Sequence, residues 1–219
     1  MFPLSTVAYI LIVLAAMVIL IFGDWRITAG ALGVQYLAAF VLVTLSWPIG
    51  MAVVKLIAGW MATAVIALAK HSHTDTAQSS WYASSIRLQQ QKTGTISEPT
   101  SSLLFRGVAG LLIVLLIFIL APTLQAGVFP QVDLMIVQGG LMLMGMALMQ
   151  LGVNSDPYQI IISLLSFLVG FEVIHAALEL STLLAGLFVL VNLGLALVGV
   201  YFMINVGEPG EGQGEEEVA

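Results

Sequence analysis

Residues 167–180 read FLVGFEVIHAALEL, an apolar stretch that keeps Glu172, His175 and Glu179 within it. It extends backward without a break into IIISLLS, residues 160–166, so about 20 residues of near-continuous hydrophobicity carry two carboxylates and an imidazole. Hydrocarbon is a costly place for an ionisable group, with about 2.5 to 3.5 kcal/mol charged for an Asp, Lys or Arg at a helix centre. Such residues therefore face protein or a water-filled path, and they mark a place where function is to be sought.

The rest of the chain agrees with a lipid environment. Of its 219 residues 60% are hydrophobic and 8% charged, and the mean hydropathy is +1.07. These values exclude a water-soluble core. The apolar runs lack the alternation of a β-barrel, so their backbone amides must be satisfied within helices. The fold class predicted is all-α, a polytopic membrane helical bundle of about seven transmembrane helices. Apolar segments of spanning length run from Leu4 to Phe22, Ile27 to Ser46, Ile49 to Ala69, Gly107 to Gln125, Val132 to Gly152, Tyr158 to Glu179 and Thr182 to Ile204. Turn-prone residues separate them: Gly23 and Asp24, Trp47 and Pro48, Pro130, then Asn154 to Pro157. The final boundary, at Glu179, Ser181 and Thr182, has neither Gly nor Pro. The first segment has no basic region before it and no small-residue cleavage site after it, so it is expected to stay as a span.

This divides the chain into a front three-helix membrane half (1–69), a polar linker loop (70–106), a four-helix membrane half (107–205) and an acidic tail (206–219). Five of the six basic residues, Arg26, Lys70, Arg87, Lys92 and Arg106, share one side under a seven-helix count. The positive-inside rule then puts the loop and the tail in the cytoplasm and Met1 outside a cell membrane. The loop is rich in Ser, Thr and Gln, with one or two possible helical turns around Trp81 to Gln91 and interfacial anchors in Trp81 and Tyr82. Its His71-Ser72-His73 pair has no nearby carboxylate or sulfur partner, so no metal site is expected there. The tail EPGEGQGEEEVA, residues 208–219, reads as a solvated, disordered end.

On one helix Glu172, His175 and Glu179 are spaced i, i+3 and i+7 and share a face. At 1.5 Å per residue Glu172 lies about 10 Å inside the outer boundary, and Glu179 lies near the surface. In the third segment Lys55 lies about 9 Å below the same boundary, matching Glu172 in depth. Steps of four from Lys55 reach Gly59, Thr63 and Ala67, a small-residue stripe expected to face protein. The last segment has a similar stripe in Ala185, Asn192, Ala196 and Gly199, with Asn192 as a mid-membrane polar group. Gln35 and Asn192 are expected to make interhelical hydrogen bonds, and the methionines of LMLMGMALM are expected to pack. Two readings of Lys55 and Glu172 stand: a fixed ion pair pinning two helices, or a pair of proton-relay sites whose protonation changes during turnover.

The back half also carries a family resemblance. GLMLMGMALMQLGV (140–153), a short polar turn, and IIISLLSFLVGFEVIHAALEL (160–180) resemble the first two helices of the small K-type membrane subunit of respiratory complex I. That family has a glycine-x-glutamate in its second helix, here Gly170-Phe171-Glu172, and is similar to the C-type subunit of multisubunit cation/proton antiporters. Residues 132–204 make up the K-like region, and LLAGLFVLVNLGLALVGVYF (183–202) resembles the third helix through GLAL at 194–197. The whole chain is more similar to the E-type subunit of hydrogenase 4, which also has a lysine in its third helix, as at Lys55, and an arginine after its first span, as at Arg26.

The resemblance implies a non-redox subunit of a proton- or sodium-translocating complex, with antiporter-like membrane subunits and the bilayer as partners. Its proton relay would be built on Glu172 and Lys55, with His175, Glu179 and Asn192 beside them. A departure stands at Leu190, where the complex I family carries a second glutamate four residues before the glycine of GLAL; Asn192 or a water would have to bridge there. No cofactor or metal is expected. The chain has no cysteine for a thiolate-bound cluster, and no phosphate loop, dinucleotide fingerprint or nucleophile with a matched base. Six scattered basic residues make no nucleic-acid patch. A stand-alone ion transporter or channel and a purely structural assembly subunit are the competing functions.

Overall fold

A computed structural model describes residues 4–79 and 100–205. The described residues form seven helices, each containing a stretch long and apolar enough to cross a membrane. They are α1 (Leu4–Ile21), α2 (Trp25–Val43), α3 (Ile49–Ser79), α4 (Thr100–Gly127), α5 (Leu134–Val153), α6 (Pro157–Leu178) and α7 (Thr182–Asn205). No strand occurs among the described residues.

The helix ends follow the turn chemistry of the sequence. Asp24 caps α2 by accepting from the Arg26 amide at 3.0 Å, and Asp133 caps α5 by accepting from the Met135 amide at 2.8 Å. Pro157 opens α6 at a position where its missing N–H costs nothing. The turn between α6 and α7, without Gly or Pro, is made by Glu179 in an extended conformation (φ −142°, ψ 130°). At the other junctions the predicted and observed bounds differ by a few residues, with two larger departures. The third helix does not stop at Ala69 but continues to Ser79, and α4 starts at Thr100, seven residues before Gly107. Hydropathy marks where a span leaves lipid, and nothing in HSHTDTAQS breaks a helix. The suggested turns at Trp81 to Gln91, Arg87 and Lys92, the side chain of His73 and the acidic tail lie outside the described residues.

Packing arranges the seven helices in two layers. One has the order α1, α2, α3; the other, laid against it, has the order α5, α6, α7; α4 closes one end of both, packed on α5 and less extensively on α1. The two halves of the chain therefore interlock: α1 packs on α5, α2 on α6, and α3 on α7. The most extensive contact joins α5 to α6. It depends on two glycines that let the backbones touch, because a Cβ on Gly170 would meet the Gly140 carbonyl oxygen at 2.6 Å and one on Gly140 would meet the Gly170 oxygen at 2.8 Å. Helices α2, α5 and α6 are the most enclosed, whereas α4 turns Leu104, Leu111, Leu115, Phe118 and Ile119 outward. Exposed leucine and phenylalanine over the length of a span fit a lipid-facing helix.

Helices α2 and α6 run parallel, since Tyr158 at the start of α6 donates to the Trp25 carbonyl at the start of α2 (2.7 Å). The end of α3 reaches the same level: His71 packs edge-on to Trp25, and the Lys70 ammonium lies 5.4 Å from the Tyr158 ring centroid. Gly110 of α4 abuts Met17 and Leu20 near the end of α1, which brings Arg106 to this level as well. Arg26, Lys70 and Arg106 thus share one end of the bundle, called here the basic end. The turn at 44–48, with Trp47, marks the other.

Candidate functional site

Between the layers, toward the Trp47 end, four helices bring polar side chains to one point. Lys55 of α3 and Glu172 of α6 form an ion pair with Nζ and Oε2 3.5 Å apart. Asn192 of α7 donates its amide to Glu172 Oε1 at 2.8 Å, and Tyr36 of α2 donates its hydroxyl to Asn192 Oδ1 at 2.9 Å. All four side chains are buried. The equal depths of Lys55 and Glu172 in the sequence correspond to their meeting here, and Asn192 makes the interhelical bonds expected of it.

Each member is held by local packing. Tyr36 lies across Gly59 of α3, where any Cβ would run into its ring, so the glycine makes room for the hydroxyl to reach α7. Lys55 Nζ lies 4.6 Å from the centroid of Trp47 and 5.3 Å from that of Phe188. Two aromatic faces thus supply part of the stabilisation that water would give an ammonium. Besides its contact with Glu172, Lys55 Nζ has no hydrogen-bond partner among the described residues. Beside the pair is a cavity of about 20 Å3, bordered by Tyr36, Lys55, Glu172 and the apolar Ala39, Val43 and Val169. That volume has room for one water molecule with polar groups to bind it.

The other two candidates, His175 near the end of α6 and Glu179 just beyond it, stand apart from this cluster. His175 is half-buried, and its Nε2 lies 4.0 Å from Glu179 Oε2, whose side chain is 61% exposed. No hydrogen bond or ion pair joins His175 to Glu172 among the described residues, and His175 Nδ1 is buried without a hydrogen-bond partner. The single polar face expected from i, i+3, i+7 spacing is therefore split into a buried pair and a surface pair. The helix ends at Leu178, and Glu179 follows it in an extended conformation with its carboxylate still beside His175.

The α3 stripe also departs from expectation. Gly59 is buried, but Thr63 and Ala67 line an apolar groove between α2 and α3 that opens outward beside Gly30, Gly33 and Trp60. Steps of four residues advance about 40° beyond a full turn each, so Ala67 has rotated away from the face that Lys55 occupies. The α7 stripe keeps its face at Asn192, Ala196 and Gly199, which are buried, while Ala185 is half-buried.

Several polar contacts were not singled out by the sequence reading. Ser166 donates to Gln35 Oε1 at 2.8 Å in the middle of the bundle, the interhelical bond expected of Gln35 though with a serine the sequence did not mark, and Gln35 Nε2 has no hydrogen-bond partner among the described residues. Nearer the basic end, the Tyr158 and Thr28 hydroxyls are 3.3 Å apart. Gln150 donates to Gln159 at 2.9 Å and to the Ile19 carbonyl at 3.2 Å, tying α5 and α6 to the end of α1. On α6 the positions 159, 163 and 166 repeat at i, i+4 and i+7, a legible stripe, but serine and glutamine at such spacing are ordinary interhelical glue.

Comparison of the chain with protein-family models, with curated proteins and with solved structures finds no match in any of the three.

Proposed function

We propose that this protein is a non-redox membrane subunit of a proton- or sodium-translocating complex of the kind to which complex I and group 4 hydrogenases belong. Glu172 is its relay carboxylate and Lys55 the cation that modulates it. The observation that carries the reading is the buried Lys55–Glu172 pair, completed by Asn192 and Tyr36 and bordered by a cavity of water size. A carboxylate whose cation lies 3.5 Å away can take a proton when that attraction weakens and release it when the attraction returns. A small polar cavity supplies the water such a transfer requires.

The sequence resemblance adds the partner class, antiporter-like subunits within the bilayer. The orientation that goes with it has the basic end in the cytoplasm and the Trp47 end outside. Outward-facing apolar side chains along α4 and α7 suit lipid or neighbouring subunits.

A second reading has its own support. The Tyr36–Asn192–Glu172–Lys55 chain links α2, α7, α6 and α3, as a fixed fastener in an assembly subunit would. Glu172→Gln separates the two, because glutamine keeps the size and hydrogen bonding but holds no exchangeable acid. In membranes containing the assembled complex, relay predicts that proton movement per assembled complex is lost. Unchanged proton movement would reject the relay and leave the fastener. Proton flux through the purified chain alone in vesicles would instead point to a stand-alone transporter.

A further inference from the structure

The polar residues at the Trp47 end form two pairs, and one side chain touches both. The Phe188 ring of α7 lies 5.3 Å from Lys55 Nζ and 5.2 Å from the His175 ring centroid, with the Phe171 ring 5.7 Å away. On one side stand Lys55 and Glu172, enclosed with Asn192 and Tyr36. On the other stand His175 and Glu179, whose carboxylate is mostly exposed. Glu172 and His175 are separated by about 4.5 Å of axial rise on α6. The Phe188 ring, against Lys55 Nζ on one side and the His175 ring on the other, is the side chain that contacts both pairs. His175 Nδ1, buried and without a hydrogen-bond partner among the described residues, is a polar atom left at this apolar boundary.

We infer that Phe188 is a gate: its ring closes the buried Lys55–Glu172 pair off from the surface pair His175–Glu179, and its displacement opens access between them. An apolar side chain in a narrow passage blocks it by excluding water, and a modest movement lets water in. Phe188 is suited to such movement because it is only partly buried. It sits one turn before Asn192 on α7, so a shift of that helix would move the ring and the Glu172 hydrogen bond together. Access to Glu172 from the Trp47 end then runs through His175, with Phe188 as a positioning residue that itself carries no proton. The inference deepens the relay reading and rests on it for its purpose, but closure is a matter of access and is tested separately.

The chain has no cysteine, so Glu172→Cys introduces a single thiol at the buried site. Silver ion, close to water in size, is the probe. Its rate of reaction in the purified full chain is read as protection of the thiol from maleimide after unfolding. With Phe188→Ala added, the rate is expected to rise about tenfold or more, and with Phe188→Leu about threefold, because a narrower side chain lets the passage wet. If the alanine variant does not fold, the leucine variant alone decides. Rates in the folded variants within about twofold of the Phe188 parent would overturn the gate. Since no ion movement is measured, that result is distinct from a failure of Glu172→Gln to stop translocation.

Discussion

Removing both members of the Lys55–Glu172 pair is predicted to harm the fold less than removing either one. The side chains are 9% and 7% exposed with charged atoms 3.5 Å apart. At an effective dielectric of about 20, two unit charges at 3.5 Å attract by about 5 kcal/mol. Desolvating them costs several kcal/mol per ion, so the pair as a whole contributes little net stability. Lys55→Met leaves Glu172 with the Asn192 amide as its remaining donor, and Glu172→Gln leaves an ammonium between Trp47 and Phe188 without a counter-charge. Each single change is expected to cost about 3 kcal/mol, whereas the double variant falls within about 1 kcal/mol of the parent. The coupling energy is then about 5 kcal/mol, in line with the Coulomb figure. Reversible unfolding in mixed micelles, followed by loss of helicity as the denaturing detergent fraction rises, gives all four stabilities. If the two single costs add in the double variant to within about 0.5 kcal/mol, the residues do not act as a buried pair and the reasoning fails.

Two further substitutions test the packing and the hydrogen bonds around the pair. Gly170→Ala is expected to destabilise by about 2 kcal/mol, because its Cβ would meet the Gly140 oxygen and the helices must part; Gly152→Ala, with open space around it, is the control expected to change nothing measurable in the same unfolding assay. Asn192→Leu removes the acceptor of the Tyr36 hydroxyl and a donor to Glu172, with an expected loss of about 2 kcal/mol. Stability equal to that of the parent would show that these bonds are not made.

The parts of this fold legible in the sequence are those governed by length and depth. Spanning helices need about 20 apolar residues, and the segments of that length became α1 to α7 with only the polar extension of α3 and the early start of α4 misjudged. Lys55 and Glu172 could be matched because both sit about 9 to 10 Å from one boundary, where unpaired charge is costly. Depth and spacing do not say which neighbour a face meets, so His175 and Glu179, expected to share a face with Glu172, form a pair of their own, and Thr63 and Ala67, expected to face protein, line an outward groove. Tyr36, Ser166 and Phe188 drew no attention, and Trp47 only as a turn residue, because aromatic and small hydroxyl residues are commonplace in membrane helices. Their importance comes from which helices are neighbours, and α3 against α7 is a pairing distant in sequence.

The central claim is that Glu172 gains and loses a proton while the bundle stays folded. Infrared difference spectroscopy on the full chain, comparing parent and Glu172→Gln across a pH titration, measures it directly through the carbonyl stretch of a neutral carboxylic acid. The account predicts a reversible band that grows with acidification, shifts in heavy water and is absent from the glutamine variant. A parent spectrum with no such band while the protein remains folded would leave Glu172 as half of a fixed ion pair and contradict the account.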